Sequence, residues 1–168
     1  MKYGPLGRSG LIVSRICLGG NSWGAKGRRG WGKFDEDEAP LYFKRALDVG
    51  ITFFDTADVY NAGRSEEIMG ATLMKMARRE DLVISTKAGA RMSPSQNDQG
   101  TGRKHLMSAI DEQLRRLQTD YIDVYQVHRL DPHTPMEETM YTLDQIVRSG
   151  KVRYIGGSTM PAYRFAQM

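Results

Sequence analysis

Short runs of β-branched and aromatic residues alternate along this chain with longer stretches whose apolar positions recur every three or four residues, a βα repeat. The apolar runs Arg15 to Gly19, Ile51 to Phe54, Leu82 to Thr86, Tyr121 to Val127 and Val152 to Gly156 predict five strands. Helices are predicted between them. The first follows the acidic Asp35-Glu36-Asp37-Glu38, which suits a helix N-terminus, and stops at Val49-Gly50, where glycine fits the left-handed position past a helix end. Glu66 to Met76 is the second, and Arg103 to Leu117 the third, with Leu106, Ile110, Leu114 and Leu117 at helical spacing. In the fourth, Met136, Met140, Leu143 and Val147 share one face before Ser149-Gly150 ends it. Ahead of the repeat, turn signals at Gly4-Pro5 and Ser9-Gly10 predict a small hairpin over 1–14. Residues 1–168 thus read as one domain, with five β/α units over 15–168.

Strands alternating with helices through short connections predict a parallel sheet covered by helices, either an open doubly wound sheet or a barrel. A doubly wound dinucleotide fold places a G-x-G-x-x-G turn after its first strand, and Gly19-Gly20-Asn21-Ser22-Trp23-Gly24 lacks that spacing. This favours the barrel. Chemistry in a parallel barrel gathers at the carboxyl ends of the strands. There the sequence sets Asp55 after the second strand, Lys87 after the third, His128 after the fourth and Ser158 after the fifth, with Tyr60 close behind Asp55.

These residue types suit carbonyl reduction by hydride transfer. The developing alkoxide needs a proton, and a phenol, with a pKa of about 10, gives one up reluctantly at neutral pH. Lys87, held charged by Asp55, would stabilise the phenolate of Tyr60, while His128 would hydrogen-bond and orient the carbonyl. The hydride itself would come from a nicotinamide. Taken singly, each residue has an ordinary structural reading: a solvated lysine, a satisfied histidine, a turn-capping aspartate. Their repeated placement at one end of successive strands argues for a site. His105 and His133 read as helix-start and loop residues without partners or role.

Composition narrows the classes further. Of 168 residues, 40% are hydrophobic and 26% charged, a globular balance. No apolar run approaches the length of a membrane helix and the N-terminus lacks a signal-peptide core, so no membrane association and a cytoplasmic location are expected. The lone Cys17 can form neither an internal disulfide nor a cysteine-pair zinc site, so no metal is expected and Cys17 reads as a buried strand residue. The net charge is +4, and the densest basic stretch, Lys26, Arg28, Arg29 and Lys33, is too narrow a stripe for nucleic acid. Residues 27–33 have P-loop spacing, but Phe34 stands where a hydroxyl must meet magnesium.

Several segments are specific enough to resemble one family. GITFFDTADVY (50–60) and GRSEEIMG (63–70) resemble the aldo-keto reductase segment bearing the catalytic Asp and Tyr. VISTK (83–87), DYIDVYQVH (120–128) and YIGGS (154–158) resemble the strands bearing its Lys, its His and its fifth-strand Ser. YGPLGRSG (3–10) is similar to the hairpin that plugs the bottom of the family barrel, and TPMEET (134–139) to the bacterial oxidoreductase branch that also resembles potassium-channel β-subunits. The resemblance implies a (β/α)8 TIM-type barrel, NADPH as cofactor, and a small-molecule carbonyl substrate. It implies catalytic roles for Asp55, Tyr60, Lys87 and His128. By the same resemblance Asp55, Ser22, Trp23 and Ser158 lie near the cofactor, with Thr159 where many members have Asn.

A closed barrel has eight units and typically about 250 residues, so this chain reads as truncated after about five. Two expectations follow: self-association through exposed barrel edges, and inactivity of the truncated chain alone. A noncatalytic binding or regulatory subunit on the same scaffold is the alternative, against which the intact catalytic set argues. The polar loop from Ala88 to Gly102 would overhang the site and points to a hydroxylated or phosphorylated carbonyl compound.

Overall fold

A computed structural model describes residues 1–24 and 37–168. The basic stretch Lys26 to Lys33 with its P-loop spacing, Phe34, and Asp35-Glu36 lie outside the described residues. An antiparallel hairpin, β1 (Tyr3–Pro5) and β2 (Ile12–Ser14), precedes five parallel strands: β3 (Cys17–Gly19), β4 (Phe53–Asp55), β5 (Val83–Ala88), β6 (Ile122–Val127) and β7 (Val152–Gly157). The helices between them are α1 (Ala39–Asp48), α2 (Arg64–Met76), α3 (Arg103–Leu117) and α4 (Met136–Arg148), with a short α5 (Ala162–Phe165) after β7. Sheet order is β3-β4-β5-β6-β7, the same as chain order.

That order separates the two parallel architectures. Phe43 of α1, Leu73 of α2, Leu106 and Ile110 of α3 and Leu143 of α4 all join one core with Phe54, Ile84 and Tyr125 of the sheet. All four long helices therefore cover one face. Each fully buried Phe, Leu or Ile of that core contributes roughly 1.5–3 kcal/mol. The opposite face carries Phe53, Val83, Val124 and Tyr154, capped at its lower end by Leu6, Leu11 and Val13 of the hairpin. This is the arrangement of consecutive units of a (β/α)8 barrel with its bottom plug, not of a doubly wound sheet with helices on both faces. Ser14 fastens the plug, its Oγ accepting the Thr52 and Phe53 N–H groups at 3.1 and 3.2 Å.

Local signals account for the element ends. Gly50 takes φ 83° behind α1, where its N–H reaches the Leu47 carbonyl at 2.9 Å, and Gly150 closes α4 in the same way. α2 begins at Arg64, two residues before the expected start, which puts Glu66 and Glu67 in its positive first turn. Strands β4 and β5 run further than their apolar letters, through Asp55 and Ala88, because parallel pairing of Gly19 with Asp55 and of Ala88 with Val127 continues past the hydrophobic run. On α4 the buried stripe is Thr139, Thr142, Leu143 and Ile146, with Met140 and Val147 at its margin.

Two single-residue expectations are corrected. Cys17 is exposed because, among the described residues, it sits on an edge strand and on the face opposite Leu18, which no helix covers. His105 is 3% exposed and has a partner, its Nδ1 lying 3.3 Å from Asp98 Oδ1. Burial lowers the His105 pKa against the opposing pull of Asp98. Among the described residues no helix is long and apolar enough to cross a membrane.

Candidate active site

The carboxyl ends of β4, β5 and β6 bring the predicted residues together. Lys87, on β5 and only 6% exposed, points its ammonium at three oxygens: Asp55 Oδ2 at 2.5 Å, the Thr56 carbonyl at 2.7 Å and the Tyr60 phenol at 3.3 Å. Register makes this meeting possible. Asp55 pairs with Ser85, so Asp55 and Lys87 fall on one face of neighbouring strands, two residues apart along the sheet. A buried ammonium requires such compensation, and the carboxylate with two neutral oxygens supplies it.

Tyr60 returns over the site because the segment behind Asp55 is laid along β5. The Thr56 and Asp58 N–H groups donate to the carbonyls of Ser85 and Lys87 at 2.8 and 3.1 Å, prolonging the ladder after β4 has ended. A 3-10 turn, Tyr60–Gly63, follows, with Asn61 and Ala62 at φ 50° and 55°. That left-handed conformation is uncommon for residues with a Cβ and marks a tightly determined turn. The Asn61 side-chain amide holds it by donating to the Trp23 carbonyl.

His128 follows β6 and donates its backbone N–H to the Ala88 carbonyl at 2.9 Å. Its ring meets that of Tyr60 edge-on, with centroids 5.6 Å apart and an interplanar angle of 84°. Burial, then the nearby charges of Lys87 and Arg129, lowers its pKa to about 4 against the opposing pull of Asp55. The imidazole is therefore neutral near pH 7, and its Nδ1 is buried without a hydrogen-bond partner among the described residues. Gln126 sits on the same face and braces the acid, its amide reaching Ser85 Oγ at 2.7 Å and Asp55 Oδ1 at 3.4 Å.

The remaining predicted residues lie around this group in different ways. Ser158 follows β7, its N–H bonded to the Val127 carbonyl at 2.8 Å and its hydroxyl 3.1 Å from that of Thr159. Thr159 is exposed at φ 48°. Ser22 is half-buried, with its hydroxyl on Asn21 Oδ1 at 3.1 Å. Trp23 is 2% exposed and packs on Phe43 and Tyr42 of α1 at centroid distances of 5.0 and 5.6 Å, so its ring belongs to the helix-side core. Gln126 escaped the sequence reading, although its place two residues before His128 on a strand puts it on the same face.

Chemically, the cluster offers a phenol beside a fixed cation, a carboxylate that fixes the cation, and a neutral imidazole against the phenol ring. A model of the aldo/keto reductase family matches residues 15–168. The chain is 42% identical to versiconal hemiacetal acetate reductase of Aspergillus parasiticus over 98% of its own length and 53% of that protein's. It is 41% identical to a putative aryl-alcohol dehydrogenase of Schizosaccharomyces pombe, covering 99% of this chain and 54% of that one. A probable voltage-gated potassium channel subunit beta of Arabidopsis thaliana is 39% identical over 99% of this chain and 49% of its own. The chain spans about half the length of the curated relatives it matches.

Proposed function

Because this chain belongs to the aldo/keto reductase family, an oxidoreductase family, we propose that it carries the catalytic group of an NADPH-dependent reductase of aldehydes or ketones. The observation behind this reading is the Lys87 ammonium held by Asp55 within 3.3 Å of the Tyr60 phenol oxygen. NADPH, when bound, supplies the hydride. Tyr60 is the proton donor to the carbonyl oxygen, and Lys87 stabilises the phenolate left behind. Asp55 keeps Lys87 in place, while His128, neutral, hydrogen-bonds and orients the carbonyl without competing as an acid. Ser22 and Trp23 after β3, with Asp55, Ser158 and Thr159, form the nicotinamide contacts in this reading. The paired hydroxyls of Ser158 and Thr159 suit a carboxamide, whereas the buried ring of Trp23 leaves Ser22 the better placed of its pair.

In this reading residues 1–168 are a single incomplete barrel domain of a cytoplasmic protein, inactive or nearly so by itself, with the edges of β3 and β7, unpaired among the described residues, available to pair between copies. A second reading, a binding or regulatory subunit without turnover, is favoured by the similarity to the channel subunit. The test is NADPH titration followed by benzaldehyde reduction, in the protein and in Tyr60→Phe. Equal NADPH binding with turnover reduced about a hundredfold or more in the variant supports the reductase. Turnover that survives Tyr60→Phe removes the phenol from its role; binding without turnover in either protein is the expected inactivity of residues 1–168 alone and does not by itself support the subunit. No binding by a folded chain places the main cofactor contacts outside residues 1–168.

A further inference from the structure

The helix side of β5 carries polar groups that the reduction does not use. On α3 the buried positions Leu106, Ile110, Gln113 and Leu117 form one stripe against the sheet, and Gln113 is 0% exposed. A buried amide in an apolar stripe is costly unless it is hydrogen-bonded. Its Nε2 lies 2.9 Å from Glu66 Oε1, 3.1 Å from Thr86 Oγ1 and 3.0 Å from the carbonyl oxygen of Lys87. Thr86 Oγ1 donates its own hydrogen to Glu66 Oε1 at 2.6 Å and still accepts, so the two amide hydrogens are shared among Glu66, Thr86 and the Lys87 carbonyl. Glu66, fully buried, is held in turn by Arg116 Nε at 2.7 Å.

The Lys87 carbonyl needs this help. Strand pairing between β4 and β5 ends at Asp55 with Ser85, so beyond it the Lys87 peptide faces the irregular segment after β4 rather than a paired strand. The Asp58 N–H at 3.1 Å and the Gln113 amide at 3.0 Å take the partner's place. One residue is thus gripped twice: its carbonyl from the helix layer and its ammonium from Asp55, Thr56 and Tyr60 on the inner face. We propose that Gln113 is a positioning residue for the catalytic lysine, fixing through the Lys87 carbonyl the line along which the ammonium reaches the Tyr60 phenol. This rests on the reductase reading for its consequence in catalysis, but not for the grip itself.

Two apolar variants of similar volume, Gln113→Met and Gln113→Leu, remove the donation to the Lys87 carbonyl while largely filling the same space. The direct readout is competitive acetylation of the folded chain with trace acetic anhydride, measuring by mass spectrometry the labelling of Lys87 relative to the exposed Lys104. In both variants the Lys87 ratio is expected to rise about fivefold, the factor that one net hydrogen bond represents. Leu143→Ala, which loosens the same core from α4, is expected to leave the ratio where it was. An unchanged ratio in the Gln113 variants, or an equal rise in Leu143→Ala, overturns the inference. Where turnover is measurable, kcat with benzaldehyde falls about tenfold in Gln113→Met with KM for NADPH unchanged. Reduction that survives Tyr60→Phe would remove the reductase reading alone, since the labelling ratio does not depend on turnover.

Discussion

Replacing Asp58 by asparagine tests the electrostatics of the layer behind the site. Asp58 is 1% exposed; its Oδ1 accepts the Val59 N–H at 2.6 Å, while its Oδ2 is buried without a partner among the described residues. Burial first, and the neighbouring Glu66 second, raise its pKa from 3.8 to about 7, against smaller opposing effects of the Val59 N–H and Arg116. Between those two values the unfolded chain has released this proton and the folded chain still holds it. Stability from this group is therefore complete below about pH 4, declines as pH rises to about 7, and is constant above, where both states are ionised. At 1.36 kcal/mol per pH unit the full loss is about 4 kcal/mol. In Asp58→Asn the amide oxygen can still accept from Val59 and no charge ever forms. Urea unfolding of both proteins from about pH 4 to about pH 8 is the assay. The stability of the variant relative to wild type is expected to climb by about 4 kcal/mol over that range. The opposite pH dependence from His128, whose neutral form is favoured by folding, is common to both proteins and cancels in the difference. A difference that stays flat with pH would refute a raised Asp58 pKa.

Gly70 lies where α2 meets the end of α3, and a Cβ there would come within 2.6 Å of the Leu117 and Arg116 carbonyl oxygens. Gly70→Ala is expected to destabilise by about 1–3 kcal/mol despite the better helix propensity of alanine, measured by denaturant unfolding; a neutral or stabilised variant would contradict this packing. β3 and β7 each have a strand neighbour on one side only among the described residues, so sedimentation is expected to show concentration-dependent self-association. A monomer across the accessible concentration range would mean that these edges are blocked.

What could be read from the chain, and what could not, divides along the direction of the interactions. The β/α order was legible because each strand and helix announces itself locally, through apolar runs and through Gly50 and Gly150 behind α1 and α4. Asp55, Lys87 and His128 were legible because strand ends in a parallel sheet share one rim, so position along the chain stands in for position in space. Groups that depend on neighbours from another layer were hidden. An amide at Gln113 looks like an interruption of an apolar stripe until the Lys87 carbonyl is seen against it. The partner of His105 is Asp98 in the preceding loop, which no helical spacing reveals. Trp23 follows a strand, as a site residue does, and nothing in its spacing reveals that its ring packs on Phe43 and Tyr42. Cys17 has the letter of a core residue and the place of an edge.

The coincidence of strand order with chain order bears on how the molecule comes into being. Each of β4 to β7 pairs with the strand made just before it, and each long helix packs beside its predecessor. A growing polypeptide can therefore add one unit at a time to a surface already formed, without waiting for a distant segment to emerge. The hairpin is made before these strands and lies under the inner face, where Ser14 binds the start of β4. Assembly from the ribosome would thus proceed from the floor strand by strand, and Asp55 would be in place before Lys87 and His128 arrive.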